Sequence, residues 1–391
     1  MVHHGRSRDN SPNNTDKGDD MTSRILRMAT TLGAMAALTA GVTLSAHPEG
    51  ADAQAGQMGG TVAAQPWAPQ SATTITTCTG GTIAISAPGN YKLDGGAKHR
   101  IDCPASAGPA IAITASHVQL DLGTTRLGKT GSGANIGILV APAVTGTRLE
   151  DVHIGGPGAV VGFYVGIEID NVDDSGVEGV TVPNSVRHGI QTSSVTRLTL
   201  VGNTLTRNGW FGLNLVDSVN GRVRNNVVDA NGIAKGTVTG TTDTSLVLTL
   251  NTPPRQIGIG IGIFGGRANR VSRNTVTANF GIGIVVDANS TGNSFHGNQA
   301  AGNQNYNGSA ASGSVAVFTN LFFGTGSTGN EVADNVILSV EDDNVCGNNS
   351  FRENTIINST SNNGTTAVVG TYLAPLSLLA SQVDSPSLCI W

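Results

Sequence analysis

Apolar positions along the chain recur in one short pattern: an apolar residue, two variable residues, often an Asn, one variable residue and a second apolar residue. The instances are Leu122/Leu127, Leu149/Ile154, Val177/Val182, Leu200/Leu205, Val223/Val228, Val271/Val276, Phe295/Ala300, Val332/Ile337 and Phe351/Ile356. Most steps between instances lie near 23 residues, with two long excursions of 48 and 37. A second column, Gly166-Ile167, Gly189-Ile190 and Gly212-Leu213, keeps the same 23-residue period. The segments are rich in Val, Ile, Thr, Asn and Gly, which are poor helix formers, so helical repeats of this length fail on propensity. Two short strands per repeat, joined by turns, bury their apolar stripe only by stacking coil on coil as parallel strands about 4.8 Å apart. The pattern therefore predicts an all-β chain, a single-stranded parallel β-helix of about nine to eleven coils.

Asparagine supports the same register. Of 34 Asn residues, 27 fall between 203 and 363. One column holds Asn203, Asn226, Asn274, Asn298, Asn335 and Asn354, and another, five residues earlier, holds Asn269, Asn293, Asn330 and Asn349. Stacked Asn side chains can hydrogen-bond from coil to coil and tolerate left-handed turn conformations. The segments at 269–276, 293–300 and 349–356, together with Cys78 to Leu93 and Val118 to Leu122, resemble parallel β-helix repeat proteins of the pectate-lyase-like superfamily. The resemblance covers about 75–391 and implies a right-handed β-helix. It leaves function open, because such folds carry lyases, hydrolases, epimerases and domains that only bind.

Composition narrows the class. Charged residues make up 13% of the chain and 53 of 391 residues are Gly, with 14 Pro and no G-X-Y period, so collagen and Pro-rich disorder are excluded. A formal net charge of -5 and the lack of a long basic run argue against a nucleic-acid or anionic-membrane binder. Arg24 and Arg27 precede the apolar run Met28 to Leu44, the layout of a secretory signal peptide starting at Met21. The expected division is 1–53 for extension and signal, 54–74 for a linker, and 75–391 for the β-helix with a C-terminal cap at 365–391. Export, to the periplasm or outside the cell, would permit disulfides among Cys78, Cys103, Cys346 and Cys389, with three connectivities open. No transmembrane span is expected beyond the leader.

Catalytic motifs are incomplete. Asp173-Asp174, His188 and Arg222-Val-Arg224 follow the order of a polygalacturonase-like hydrolase. His188 falls 14 residues after Asp174, however, where one coil of about 23 is needed. Arg222, Arg224, Arg270 and Arg273, with His296 in the next coil, could line one face and neutralise a uronate; their alternative is a solvated strand surface. His188, Arg222 and Arg224 are the catalytic candidates. No metal site is identified; calcium at Asp342-Asp343-Asn344 has no defined geometry, and no cofactor is expected. Gly260 to Gly265 matches G-x-G-x-x-G but sits in a strand ladder with no following helix, so it reads as coil packing.

The long excursions carry the stronger functional signal, because loops on a repetitive scaffold are where specificity resides. The first inserts residues 233–256 beside Trp210, Phe211 and Phe280; the second, near 303–316, contains Tyr306. The expected ligand site joins Arg187, His188, Arg207, Trp210, Phe211 and Phe280, where sugar rings could stack on aromatic faces beside cationic donors. Trp210 and Phe211 could equally pack beneath the loop as a hydrophobic cluster. Three functions remain: binding of a polysaccharide or cell-envelope glycan, a polysaccharide lyase, hydrolase or epimerase, and a structural or adhesion rod. Oligomeric state is open.

Overall fold

The structure is a computed structural model that describes residues 71–361 except 79, 105–107, 132–134, 233–235, 243–244, 251–257, 304–318, 325 and 343–348. The expected leader, most of the linker, the C-terminal cap, Tyr306, Asp343, Asn344, Cys346 and Cys389 lie outside the described residues.

The chain folds as a right-handed parallel β-helix. The central coils have three strands where the repeat pattern predicts two. In one representative coil these are Arg270–Ser272, Thr275–Thr277 and Gly281–Asp287, separated by Asn274 and Asn279. The first strands stack into an 11-stranded parallel ladder running from Thr73–Ile75 to Ser350–Arg352. The second and third strands form two further ladders, joined through Val336–Asp342 into one 19-stranded sheet. Eleven strands in the first ladder agree with nine to eleven coils.

Alternation fixes which residues enter the core. On the first ladder Leu120, Ile154, Val177, Leu200, Val223, Val271, Phe295 and Val332 stack in one inward column, each no more than 1% exposed. Burial of each such side chain contributes about 1.5 to 3 kcal/mol. The corners are closed by side chains instead of apolar packing. Both expected Asn columns are continuous hydrogen-bonded ladders: beyond the first Asn of each column, every Asn Oδ1 accepts from the backbone N–H and side-chain amide of the Asn one coil before it. A third ladder, Asn208, Asn231, Asn279, Asn303 and Asn320, closes the remaining corner.

The recurrent Gly ahead of the third strand answers to that ladder. A Cβ on Gly212 would lie 2.4 Å from Val228 Cγ1 and 2.7 Å from Asn231 Nδ2, so no larger residue fits between coil and corner. Gly260 to Gly265 likewise belongs to the buried strand Gly258–Phe264 and its turn, as coil packing requires. The first excursion contains an antiparallel hairpin, Gly236–Thr242 with Ser245–Leu250, which pairs with no strand of the solenoid. Cys78 and Cys103 form a disulfide at the N-terminal end of the rod. Among the described residues no helix is long and apolar enough to cross a membrane.

Candidate functional site

The expected catalytic trio does not assemble. His188 begins a third-ladder strand, His188–Ser193, whereas Arg222 and Arg224 lie on the first ladder, a different face of the coil. His188 is 1% exposed, and its ring packs 5.3 Å from Trp210 and 5.2 Å from Phe211. Burial first, then the Arg187 charge, push its pKa down to about 3, so the imidazole is neutral at physiological pH. The neutral ring, 1% exposed and packed against Trp210 and Phe211, carries no imidazolium proton and presents little of its surface to solvent.

Asp173 and Asp174 answer to structural partners. Asp173 accepts from Arg148 at 2.7 Å and Asp174 from Arg197 Nη2 at 2.6 Å, and these guanidinium hydrogen bonds hold both carboxyls below their usual range. Of the hydrolase-like order, the Asp173-Asp174 pair is thus engaged in surface ion pairs on the first ladder, with Arg148 and Arg197 as partners.

The expected aromatic corner is split between core and surface. Phe211 is 2% exposed and clusters with Ile259, Phe264, Ile282, Val285 and Phe322, with Trp210 packed against them. Phe211 thus takes the packed position of the two expected for it, with little of its face exposed. Trp210 is half-buried; the Arg187 guanidinium lies 5.0 Å from its ring centroid, a cation–π contact. Phe280 is half-buried in the column of Gly209 and Gly232, one position before that of Trp210. Arg207 is exposed, with a left-handed backbone at the preceding corner.

What the third-ladder face does bring together is a polar surface that the repeat pattern left unremarked. Strands Val165–Asp170, His188–Ser193 and Phe211–Val216 are adjacent, and Glu168, Gln191 and Asn214 align across them. Ile167 and Ile169 point inward, so alternation turns Glu168 and Asp170 outward. Tyr164, Arg187 and Trp210 precede these strands one coil apart, linked by backbone bonds of 2.8 and 2.7 Å. The Glu168 and Asp170 side chains share a hydrogen bond. Burial, then the Asp170 charge and that hydrogen bond, push Glu168 up to about 7, while Arg187 opposes the rise. Burial raises Asp170 as well. Both shifts favour the protonated form of this pair, so its proton comes off closer to neutrality than that of an ordinary carboxyl. Asp170 Oδ1 and Asn214 Oδ1 are buried atoms with no hydrogen-bond partner in the protein. The signal was in the sequence: Glu168-Ile-Asp170 places two acids two residues apart on one strand, directly behind the repeating Gly166-Ile167.

Comparison with known proteins adds a coarse frame. A family model described as periplasmic copper-binding protein (NosD) matches residues 156–319. No curated protein matches the chain. Among solved structures the chain is similar to the Dettilon tailspike protein gp208, at 15% identity over 71% of this chain and 56% of that one, with a TM-score of 0.46. It is also similar to the periplasmic alginate epimerase AlgG, at 12% identity, 67% and 64% coverage and a TM-score of 0.40. Pectate lyase Pel9A matches at 15% identity, 72% and 60% coverage and a TM-score of 0.37. The chain spans less than two thirds of the length of each of these three.

The described residues do not fit a copper centre. Among them no group of three or more His, Cys, Asp or Glu side chains is arranged to hold a metal ion. Copper favours imidazole and sulfur donors. All five Met residues precede residue 71, and Cys78 and Cys103 are joined to each other.

Proposed function

We propose that the chain is an exported β-helix protein that binds a polysaccharide or cell-envelope glycan on the outer face of strands Val165–Asp170, His188–Ser193 and Phe211–Val216. One observation carries the reading. Glu168, Asp170, Gln191 and Asn214 converge on one face with Arg187 and Trp210 at its edge, and two of their oxygens are buried without protein partners. A buried acceptor left without a donor costs about 1 to 3 kcal/mol, and hydroxyl groups of a sugar supply such donors in pairs. The flat stack of strands suits an extended chain, with the half-buried Trp210 edge as its apolar contact. The signal-like leader fits export.

Affinity electrophoresis of the intact protein through gels containing neutral and acidic polysaccharides tests this. At least one glycan should retard it, and Gln191→Ala with Asn214→Ala should reduce retardation by about tenfold in affinity without lowering the melting midpoint. Unaltered retardation of the double variant would remove this face as the site.

A second reading, glycan cleavage, is favoured by the Glu168–Asp170 carboxyl pair, whose burial raises both pKa values. A general acid works best with a pKa near the operating pH, and Glu168 sits near 7. Glu168→Gln should then abolish release of new chain ends while leaving retardation intact, whereas absence of release by the native protein leaves binding alone.

A further inference from the structure

The first ladder carries a basic strip that none of the residues above uses. Arg222 and Arg224 lie on one strand, and Arg267, Arg270 and Arg273 on the next coil, all five exposed. Arg222 and Arg270 are direct ladder partners, a like-charge pairing that weakens a sheet. Adjacent strands lie about 4.8 Å apart and alternate residues about 7 Å apart along a strand, so Arg222, Arg224 and Arg270 hold their charges within one small triangle. The flanking ladder partners, Thr199 and Val201 on one side and Ser294 and His296 on the other, bring no acid. None of the five guanidinium groups makes an ion pair with a described residue.

Two features make the strip unlike a merely solvated strand surface. The chain as a whole is acidic, with a net charge of -5, so five cations on two successive coils run against its composition. Arg273 also holds a left-handed backbone, φ 54°, at a corner that the neighbouring coils fill with Asn225 and Gly297. A long side chain is disfavoured in that conformation relative to Gly or Asn, yet the cation stands there.

We infer that this strip is a second binding surface, for an acidic polysaccharide whose carboxylate or sulfate groups recur along the chain and meet Arg222, Arg224, Arg267, Arg270 and Arg273 on successive coils. Guanidinium groups bind such oxyanions through paired, charge-assisted hydrogen bonds. Ser272, Thr199 and Ser294 interleave with the cations as hydroxyl partners for sugar hydroxyls. The strip carries no aromatic residue on which a base could stack, which favours a glycan over a single-stranded nucleic acid. The inference shares no residue with the proposed glycan face on the third ladder, so either can fail alone.

The test is electrophoresis of the intact protein through gels containing polygalacturonate, dextran sulfate or neutral dextran, with a charge-matched oligothymidylate as a further probe. Retardation by one acidic glycan, absent with dextran and weakened by salt, is expected. Arg222→Gln with Arg270→Gln should lower that affinity about tenfold or more, and Arg222→Lys with Arg270→Lys, which keeps the charges but loses the paired hydrogen bonds, should fall between the Gln pair and the native protein. The Gln pair should melt at or above the native midpoint, because a like-charge contact is relieved. Equal affinity in the Gln variant, equal binding of the oligonucleotide, or a fall in the melting midpoint would each overturn the inference.

Discussion

Asn226 donates both its backbone N–H and its side-chain amide to Oδ1 of Asn274, at 3.0 and 2.9 Å, while Asn274 Nδ2 donates at 2.9 Å to the Val223 carbonyl. Asn274 is 1% exposed, so these groups have no water to turn to. Asn274→Leu leaves two donors and one acceptor buried and unpaired, at about 1 to 3 kcal/mol each. The midpoint of chemical unfolding should fall by an amount equivalent to about 3 kcal/mol or more. An unchanged midpoint would mean the ladder contributes nothing to stability.

That ladder marks how far the sequence could be read. The 23-residue apolar step, the Asn203 and Asn269 columns and the Gly166 column were visible because each side chain or its absence serves the same backbone site in every coil. The third corner was hidden in plain spacing: Asn208, Asn231 and Asn279 each follow a first-column Asn by five residues, inside segments read as loop turns. With that corner unrecognised, one of the three strands per coil went uncounted. The functional face was less legible, because outward residues do not repeat. Glu168 is followed along its column by Gln191, Asn214 and Gly262, so no periodicity announces it. His188 misled for the opposite reason: a His beside Trp210 reads as chemistry until its 1% exposure is known.

Glu168 gives a pH signature of known sign. Its folded-state value near 7 lies above the ordinary 4.5, so the folded chain binds this proton more tightly than the unfolded one. Its effect on stability is therefore most favourable below pH 4.5 and is lost as pH rises through about 7. Glu168→Gln should melt above the native protein at about pH 8 and lose that advantage at about pH 4. An equal difference at both values would show that Glu168 is ionised in the folded state.

The Cys78–Cys103 disulfide spans 25 residues and ties the segment before Ile83–Ile85 to the strand Arg100–Pro104. Terminal coils of a solenoid have a neighbour on one side only and fray first. Cys78→Ser with Cys103→Ser should cost about 3 kcal/mol in the N-terminal coils. Hydrogen exchange should accelerate at Ile85, Ile101 and Ile111 before it changes at Val271; uniform acceleration would mean that the rod opens as one unit.

Trp210 and His188 can be separated by titration. Trp210 covers the His188 ring at 5.3 Å with their planes 27° apart, and removing the indole admits water to Nδ1, which has no partner. In Trp210→Ala the His188 pKa should therefore climb from about 3 toward 6.5, followed by its ring proton resonances in NMR. The same substitution should cost about 2 to 3 kcal/mol, since the ring also packs on Phe211. The sign of the His188 effect is opposite to that of Glu168. A depressed imidazole leaves its full contribution in place above pH 6.5 and loses it as pH falls toward 3. His188→Leu, which keeps the apolar packing and removes the titrating group, should flatten the acid limb of the stability curve between those values. A curve that keeps its native acid slope in His188→Leu would place the responsible proton on another group and would leave the buried imidazole charged.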